Sequence, residues 1–95
     1  MPYGYRRNGS SLIVDSNEAT AVRLIFERAR LGATKSVIAK LLVERELTRR
    51  NGKLWTRRQV RAILSREALY REGIFRYGET TGRDSRVGIV APYSV

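Results

Sequence analysis

The chain has 95 residues, 19 of them Lys or Arg against 9 Asp or Glu, so its formal net charge is +10 at pH 7. It contains no Cys and no His, which excludes disulfides, zinc fingers and histidine-based acid–base catalysis within this chain. The hydrophobic content of 42% predicts a folded domain, and no apolar run has the length of a membrane span or a signal peptide. We therefore expect residues 1–95 to be a single domain, excised from a longer chain, in a reducing cytoplasm.

The N-terminal residues predict a β-hairpin. Its two arms, residues 4–7 and 11–14, flank Asn8-Gly9, a strong turn signal because both residue types tolerate positive φ. The first arm carries the adjacent basic residues Arg6 and Arg7. Such charges either blunt the edge of a strand or contact an anionic partner, and the sequence leaves both possibilities open.

A first helix is predicted over residues 16–31. Asp15 or Ser16 is suited to be its N-cap, because the side-chain oxygen of either residue can accept a hydrogen bond from the first turn. Gly32 is suited to the left-handed conformation that ends many helices. One face is apolar at three- and four-residue steps, through Ala19, Val22, Ile25, Phe26 and Ala29.

Two more helices follow. The second is predicted over residues 35–45 with Thr34 as N-cap, and the third over residues 57–66 with Thr56 as N-cap. Residues 47–54 between them have no helical period, and their Asn-Gly pair predicts either a loop or a tight basic hairpin. The apolar positions are Val37, Ile38, Leu41 and Leu42 in the second helix, and Val60, Ile63 and Leu64 in the third.

The C-terminal third changes period. Residues 73–78 and 86–91 are β-branched or aromatic runs, and the polar residues 79–85 between them predict a mobile tip. The fold class expected is therefore α+β. It consists of a three-helix core with a helix-turn-helix-like element, flanked by an N-terminal β-hairpin and a C-terminal antiparallel β-hairpin.

The positive charge is concentrated in one segment. Residues 47–66 contain seven basic side chains and no acid, whereas all nine acids lie in the rest of the chain. A solvated helix usually mixes both signs of charge to gain pairs four residues apart, so an acid-free segment favours contact with a phosphate backbone. The seven residues are Arg49, Arg50, Lys53, Arg57, Arg58, Arg61 and Arg66.

The third helix has the features of a recognition helix. If its apolar positions face the core, Arg58, Arg61, Ala62 and Ser65 lie opposite, with Arg57 near the edge. Small residues let a helix enter a major groove, and arginines can reach guanine edges or phosphates. The helix N-terminus, with Thr56, also favours a phosphate.

The flanking segments supply further candidates. Arg49, Arg50 and Lys53 in the loop are expected to hold phosphates, and the first hairpin arm to approach the backbone or a minor groove. Trp55 is either a plug beneath the loop or a stacking surface for a sugar or base. The predicted DNA-contacting residues are Arg6, Arg7, Arg49, Arg50, Lys53, Thr56, Arg57, Arg58, Arg61 and Ser65.

No catalytic constellation is evident. The serines have no histidine partner, no carboxylate pair lies in an apolar setting, and no phosphate-cradling glycine loop occurs. We expect no active site, cofactor or metal within this chain.

The ordered set of motifs resembles the recombinase domain of the large serine site-specific recombinases, the group of phage integrases and transposon resolvases. The resemblance covers nearly the whole chain. It rests on Pro2-Tyr3-Gly4-Tyr5, Val14-Asp15 with Glu18-Ala19, Val22-Arg23-x-Ile25-Phe26-Glu27, Gly32, Ile38-Ala39 with Leu41, Gly52-x-x-Trp55-Thr56, Val60-Arg61-x-Ile63-Leu64, Leu69-Tyr70 before Gly73, and Tyr77-Gly78.

The chain departs from that pattern at two places. Family members usually carry Gly followed by Ile or Val where this chain has Glu46-Leu47, which predicts a different end for the second helix. They also carry Pro near Ala68, and Tyr-x-Gly where this chain has Tyr70 and Gly73 three residues apart, which predicts a rearranged turn.

The resemblance implies duplex DNA binding at the attachment site, within an enzyme whose nucleophilic serine lies in a separate domain and forms a phosphoserine link. It implies a nucleoid-associated protein that oligomerises through absent domains, whereas this domain by itself is expected to be monomeric, with no membrane contact. Three other functions stay open at this stage: a winged-helix transcription regulator, an RNA-binding module and a protein-interaction domain with an acidic partner.

Overall fold

The computed structural model describes residues 3–9, 11–72, 74–77, 80–83 and 89, and this part forms an α+β fold. It contains four helices and an N-terminal two-stranded antiparallel sheet. In chain order the elements are β1 Tyr5–Asn8, β2 Ser11–Val14, α1 Ser16–Arg30, α2 Lys35–Glu44, α3 Arg57–Leu64, α4 Glu67–Glu72, β3 Ile74–Tyr77 and β4 Thr80–Arg83.

The predicted N-terminal hairpin is confirmed. Strands β1 and β2 pair antiparallel, from Tyr5 opposite Val14 to Asn8 opposite Ser11. Gly9 follows the first strand with a φ of +63°, which is the left-handed region that glycine adopts without strain. Asn8 is the last paired residue of β1 rather than part of the turn, so the first arm ends one residue later than predicted.

The helix N-termini follow the predicted caps. Asp15 Oδ1 accepts hydrogen bonds from the backbone N–H groups of Asn17 and Glu18 at 3.1 and 3.0 Å. The hydroxyl oxygens of Thr34 and Thr56 each accept one from the N–H three residues later, at 3.3 and 3.4 Å. Because these bonds satisfy N–H groups that the helix itself cannot, all three helices begin where the sequence predicts.

Helices α1 and α2 end in the same backbone geometry. After α1, Gly32 has a φ of +92° and its N–H donates to the carbonyl of Ala29 at 3.0 Å. After α2, Glu46 has a φ of +57° and its N–H donates to the carbonyl of Val43 at 3.0 Å. Both endings are of the Schellman type, but only the first has the glycine that this conformation favours.

The core lies between α1, α2 and α3. Val37 is an exception to the predicted stripe of α2, because 57% of it is exposed while the neighbouring Ala39 is buried. The other predicted positions agree, because Ile38 and Leu42 are buried and Leu41 packs against the core, so the stripe differs only in having Ala39 in place of Val37. The buried residues are Tyr5, Ala19, Ala21, Val22, Leu24, Ile25, Phe26, Ile38, Ala39, Leu42, Trp55, Val60, Ile63, Leu69, Tyr70 and Ile89.

The third predicted helix is wrong at its C-terminal end. It stops at Leu64, and a separate helix, α4, follows after Ser65 and Arg66. The described part of the chain therefore contains one helix more than the three predicted. The Ser65 hydroxyl donates to the Ala62 carbonyl at 2.7 Å, and the Arg66 N–H donates to the Ile63 carbonyl three residues back. Side-chain competition for the backbone and a tightened last turn both end the helix here.

The C-terminal hairpin expected from the sequence is not supported. Strand β3 lies within the first predicted run, but β4, which pairs antiparallel with it, occupies residues predicted as a polar tip. The second predicted run, residues 86–91, lies outside the described residues except for Ile89. Adjacent β-branched threonines at the start of β4 favour an extended backbone. The prediction of a polar tip gave more weight to the polar residues of this segment than to these threonines.

The segment before β1 meets residue 89 against α4. The ring of Tyr5 stacks on that of Tyr70, with centroids 5.9 Å apart, and the Tyr70 hydroxyl donates to the Tyr3 carbonyl at 2.7 Å. The Ile89 N–H donates to the Tyr70 carbonyl at 2.7 Å. Gly4 has a φ of +99°, and a Cβ there would lie 2.8 Å from Ile89 Cδ1, so the backbone conformation and the close approach both favour glycine.

Candidate nucleic-acid interface

One face of α3 presents cations to solvent. Val60 and Ile63 are buried, whereas Arg57, Arg58 and Arg61 are exposed. Within the described part of the chain, none of these three guanidinium groups makes a hydrogen bond or an ion pair. The helix therefore holds three positive charges whose hydrogen-bonding capacity is not used by the fold.

Two predicted contact residues also serve the ends of α3. The Thr56 hydroxyl oxygen accepts the capping bond from Gln59, which leaves its O–H able to donate to another group. The Ser65 hydroxyl donates to the Ala62 carbonyl, so in this rotamer it cannot donate to a phosphate. Ala62 and Ser65 are both exposed and small, and so leave the middle of this face without bulk.

The segment between α2 and α3 contains a tight turn and no paired strands. The Arg49 N–H donates to the Lys53 carbonyl at 3.0 Å, and the Gly52 N–H donates to the Arg49 carbonyl at 2.8 Å. Asn51 Oδ1 accepts from the Lys53 N–H at 3.2 Å. Of the two predicted forms, the structure therefore contains the loop, with Gly52 at a φ of +77°.

Arg50 links this loop to the N-terminal segment. Its Nη2 and Nε atoms donate to Glu18 Oε1 and Oε2 at 2.7 and 3.0 Å, and Nη2 also donates to the Tyr5 carbonyl at 3.0 Å. Glu18 Oε1 accepts from the Gly4 N–H at 2.8 Å as well. The hydrogen bonds that Arg50 donates to the Glu18 carboxylate raise the pKa of Arg50 above its ordinary value. Although its side chain is exposed, the guanidinium group is thus engaged by other residues of the chain.

The other predicted loop cations differ in exposure. Arg49 is half-buried, and its Nε donates to the Leu54 carbonyl at 3.1 Å. Lys53 is exposed, and its ammonium group has no partner within the described residues. Lys53 is therefore the cation of the turn that is most available to an external anion.

The two arginines of β1 lie apart from this loop. Arg6 pairs with Asp15 at 3.6 Å with 64% of its side chain exposed, and Arg7 is exposed. Neither lines the cleft between the loop and α3. Successive residues of a strand point to opposite faces, so the two guanidinium groups leave the hairpin on different sides.

A cleft of about 370 Å³ lies between the loop and α3. Trp55 lines it and is 95% buried, as the plug hypothesis predicts, with the Tyr3 ring edge-on at 5.1 Å between centroids. The indole N–H is buried without an acceptor among the described residues. Gln59 of α3 and Arg66, which follows the end of α3, also line the cleft, although neither was among the predicted contact residues.

A second cleft of about 490 Å³ lies on the other side of Arg49 and Arg50. Unlike the first cleft, it is lined by three carboxylates, those of Asp15, Glu18 and Glu46. Among the described residues, none of those lining the first cleft is acidic. The two clefts therefore have opposite electrostatic character although they share the same two arginines.

The described residues contain no group of three or more His, Cys, Asp or Glu that could hold a metal ion. Within the same residues, no helix combines the length and the apolar composition needed to cross a membrane.

Comparison with known proteins yields one match. The family model described as Recombinase matches residues 16–91, which is well over half of the chain and includes α1, α2, α3 and α4. Neither the curated proteins nor the solved structures gave a significant match. This match and the ordered motifs agree on one assignment: the chain belongs to the Recombinase family.

Proposed function

We propose that this chain binds duplex DNA at a recombination site, as the DNA-binding part of a serine site-specific recombinase. Membership of the Recombinase family supports a role in site-specific recombination and makes DNA the expected partner. The nucleophilic serine and the oligomerising surfaces would belong to other domains of the whole protein. Binding to DNA would place the protein with the nucleoid.

The observation that carries the proposal is the exposed face of α3. Arg57, Arg58 and Arg61 are aligned there without partners in the described part of the chain, next to the small residues Ala62 and Ser65. Helix α2 packs against α3, as the two helices of a helix-turn-helix unit do. We infer that α3 enters the major groove, where Arg58 and Arg61 reach guanine edges or phosphates.

The remaining predicted residues have different proposed roles. Lys53 and the Thr56 hydroxyl hold phosphates beside α3, and Arg49 adds charge from the turn. Arg6 and Arg7 approach the backbone or a minor groove from the hairpin. Arg50 positions the loop through Glu18, and Ser65 contributes small size rather than a hydrogen bond.

A salt series tests the role of α3. We expect Arg58→Gln plus Arg61→Gln to weaken binding to a mixed-sequence duplex at least about tenfold and to lower the slope of log K against log salt by about 1.8. The matched control is Arg30→Gln plus Arg45→Gln, which removes the same charge from two exposed positions outside α3. We expect the control to change affinity by less than about threefold, because its effect acts only through the long-range field.

Two results would contradict the proposal. Equal losses for the two double variants would mean that net charge, rather than the face of α3, drives binding. Tighter binding to a structured RNA than to the duplex at matched salt would favour the RNA-binding alternative instead.

A further inference from the structure

We infer that the cleft between the loop and α3 holds one phosphate of the DNA backbone, with Arg66 and Arg49 as its cations. This inference rests on the proposed function and extends it, because it adds a phosphate site that lies beside the exposed face of α3. The cleft volume of about 370 Å³ lies at the small end of the range of about 300–1,000 Å³ typical of ligand sites.

The charge around the cleft selects for an anion. Arg49, Arg50 and Arg66 line it, and among the described residues its lining contains no carboxylate. The second cleft shares the first two of these arginines but adds three carboxylates, which would repel a phosphate. An anion attracted to this part of the surface is therefore directed to the side of α3.

Arg66 is the cation that distinguishes the first cleft. It is exposed, lies in the connection between α3 and α4, and makes no side-chain hydrogen bond or ion pair within the described residues. Its backbone is held at both ends, because its N–H donates to Ile63 and its carbonyl accepts from Leu69 and Tyr70. A guanidinium group on a fixed backbone is suited to paired hydrogen bonds with phosphate oxygens.

The buried wall of the cleft supplies a second, independent observation. The Trp55 N–H is buried without an acceptor in the part of the chain that the structure describes, and such donors are rare in folded proteins. Tyr3 packs edge-on against Trp55 but is itself only partly buried, held by the bond from its hydroxyl to the Thr48 carbonyl. Because Trp55 lines the cleft, its indole N–H is the buried donor that a phosphate oxygen in the cleft would satisfy.

Arg49 and Gln59 complete the arrangement. The bond from Arg49 Nε to the Leu54 carbonyl fixes the direction of that side chain, while its terminal nitrogens make no hydrogen bond within the described residues. The half-buried Gln59 adds an amide that can donate to a phosphate or sugar oxygen. Arg50 lines the same cleft, but its engagement with Glu18 makes it a support for the loop.

Two measurements on the full chain test this inference. Arg66→Gln should weaken duplex binding about fivefold and lower the salt slope by about 0.9, the value for one phosphate contact. Arg30→Gln, an equal loss of charge at an exposed position outside the cleft, should leave both nearly unchanged. Because Trp55 is the single tryptophan, its emission should shift when duplex is added, and less so in Arg66→Gln.

A titration with inorganic phosphate separates the two sources of this chemistry. We expect Trp55 emission to respond to phosphate only at far higher concentration than to duplex, as for a site that takes its anion from DNA. A saturable response to inorganic phosphate, with equal duplex affinities for Arg66→Gln and Arg30→Gln, would instead indicate a free-anion site and overturn the inference.

The outcomes also distinguish this inference from the proposed function. If the α3 double variant loses affinity while Arg66→Gln behaves as Arg30→Gln and Trp55 emission does not shift, DNA binding stands and the cleft site is wrong. Failure of the unaltered chain to bind duplex even at low salt would remove the proposed function, and the inference with it. Trp55→Phe, with its fold checked by circular dichroism, should weaken duplex binding if the indole N–H takes part.

Discussion

Helix α3 and the loop that precedes it are both basic and free of acids. Their arginines nevertheless make different contacts. In the loop, Arg49 donates to Leu54 and Arg50 donates to Glu18 and Tyr5. On α3, Arg58 and Arg61 have no partner within the described residues. A charge count therefore cannot tell an arginine that stabilises the fold from one that is available to a ligand.

Of the changes considered, raising the pH should have the largest effect on stability, because it ionises the tyrosines that join the N-terminal segment to the loop and to α4. Burial, and secondly the charge of Glu18, raises the pKa of Tyr3 to about 12. Burial also raises the pKa of Tyr70 to about 12 and raises the pKa of Tyr5 above its ordinary value. Because the folded state favours the neutral phenols, their contribution to stability is complete below pH of about 10 and is lost as pH rises toward about 12. Tyrosinate absorbance and circular dichroism should change together in this range.

The control for this experiment is free tyrosine, which ionises near pH 10. Ionisation of all the tyrosines near that value, with the fold intact, would contradict both the burial of Tyr5 and Tyr70 and the attachment of the loop through the Tyr3 hydroxyl.

Removing the carboxylate that holds the loop should have the next largest effect. Glu18→Ala leaves the Gly4 N–H and the Arg50 guanidinium without this acceptor, so we expect a loss of about 2 kcal/mol in the free energy of unfolding, mainly from the partly buried Gly4 N–H. Urea denaturation measures it. Glu27→Ala on the same helix is the control. Glu27 is exposed and its ion pair with Arg28 is long at 3.9 Å, so its loss should cost less than about 0.5 kcal/mol. Equal costs would show that the Glu18 contacts do not hold the loop.

A glycine at the start of the loop should stabilise the chain. Glu46 has a φ of +57°, which strains a residue with a Cβ, so Glu46→Gly should raise the free energy of unfolding by about 1 kcal/mol. Gly32→Ala at the matching end of α1 is the mirror experiment. A Cβ there meets nothing within 4 Å, so its expected loss of about 1 kcal/mol comes from the backbone alone. A loss of stability on Glu46→Gly would contradict this account.

The smallest effect on stability is expected on α3. Arg58→Gln plus Arg61→Gln should change the free energy of unfolding by less than about 0.5 kcal/mol, since both side chains are exposed and neither has a partner in the described part. Thermal unfolding of the same variant used for DNA binding measures it. A large loss of stability would show that these two arginines stabilise the fold, as Arg50 does.

Local features were predictable from the sequence, and contacts between distant residues were not. Thr34 and Thr56 were identified as caps, and Asp15 as one of two candidates with Ser16, because a cap bonds to backbone two or three residues away. The Arg50–Glu18 pair joins residues 32 positions apart, and no periodicity reports such a contact.

The remaining differences have the same physical origin. Helix α4 has six residues, too few for a clear periodic pattern, and its start depends on how the chain leaves α3. The left-handed Glu46 was not expected, because propensity alone disfavours it and the surrounding packing decides. For the candidate site, the exposed face of α3 could be read from its apolar positions, whereas the cleft depends on how the loop folds back.

The contact of Gly4 with Ile89 has a consequence for synthesis of the protein. These residues are 85 positions apart, and Ile89 also accepts a hydrogen bond from Arg23 Nε at 3.2 Å through its carbonyl. During translation, the helices can form as they leave the ribosome, but the N-terminal segment has no Ile89 to pack against until residue 89 has emerged. We expect nascent chains that stop before residue 89 to be protease-sensitive at Tyr3–Tyr5, and those that extend beyond it to be protected.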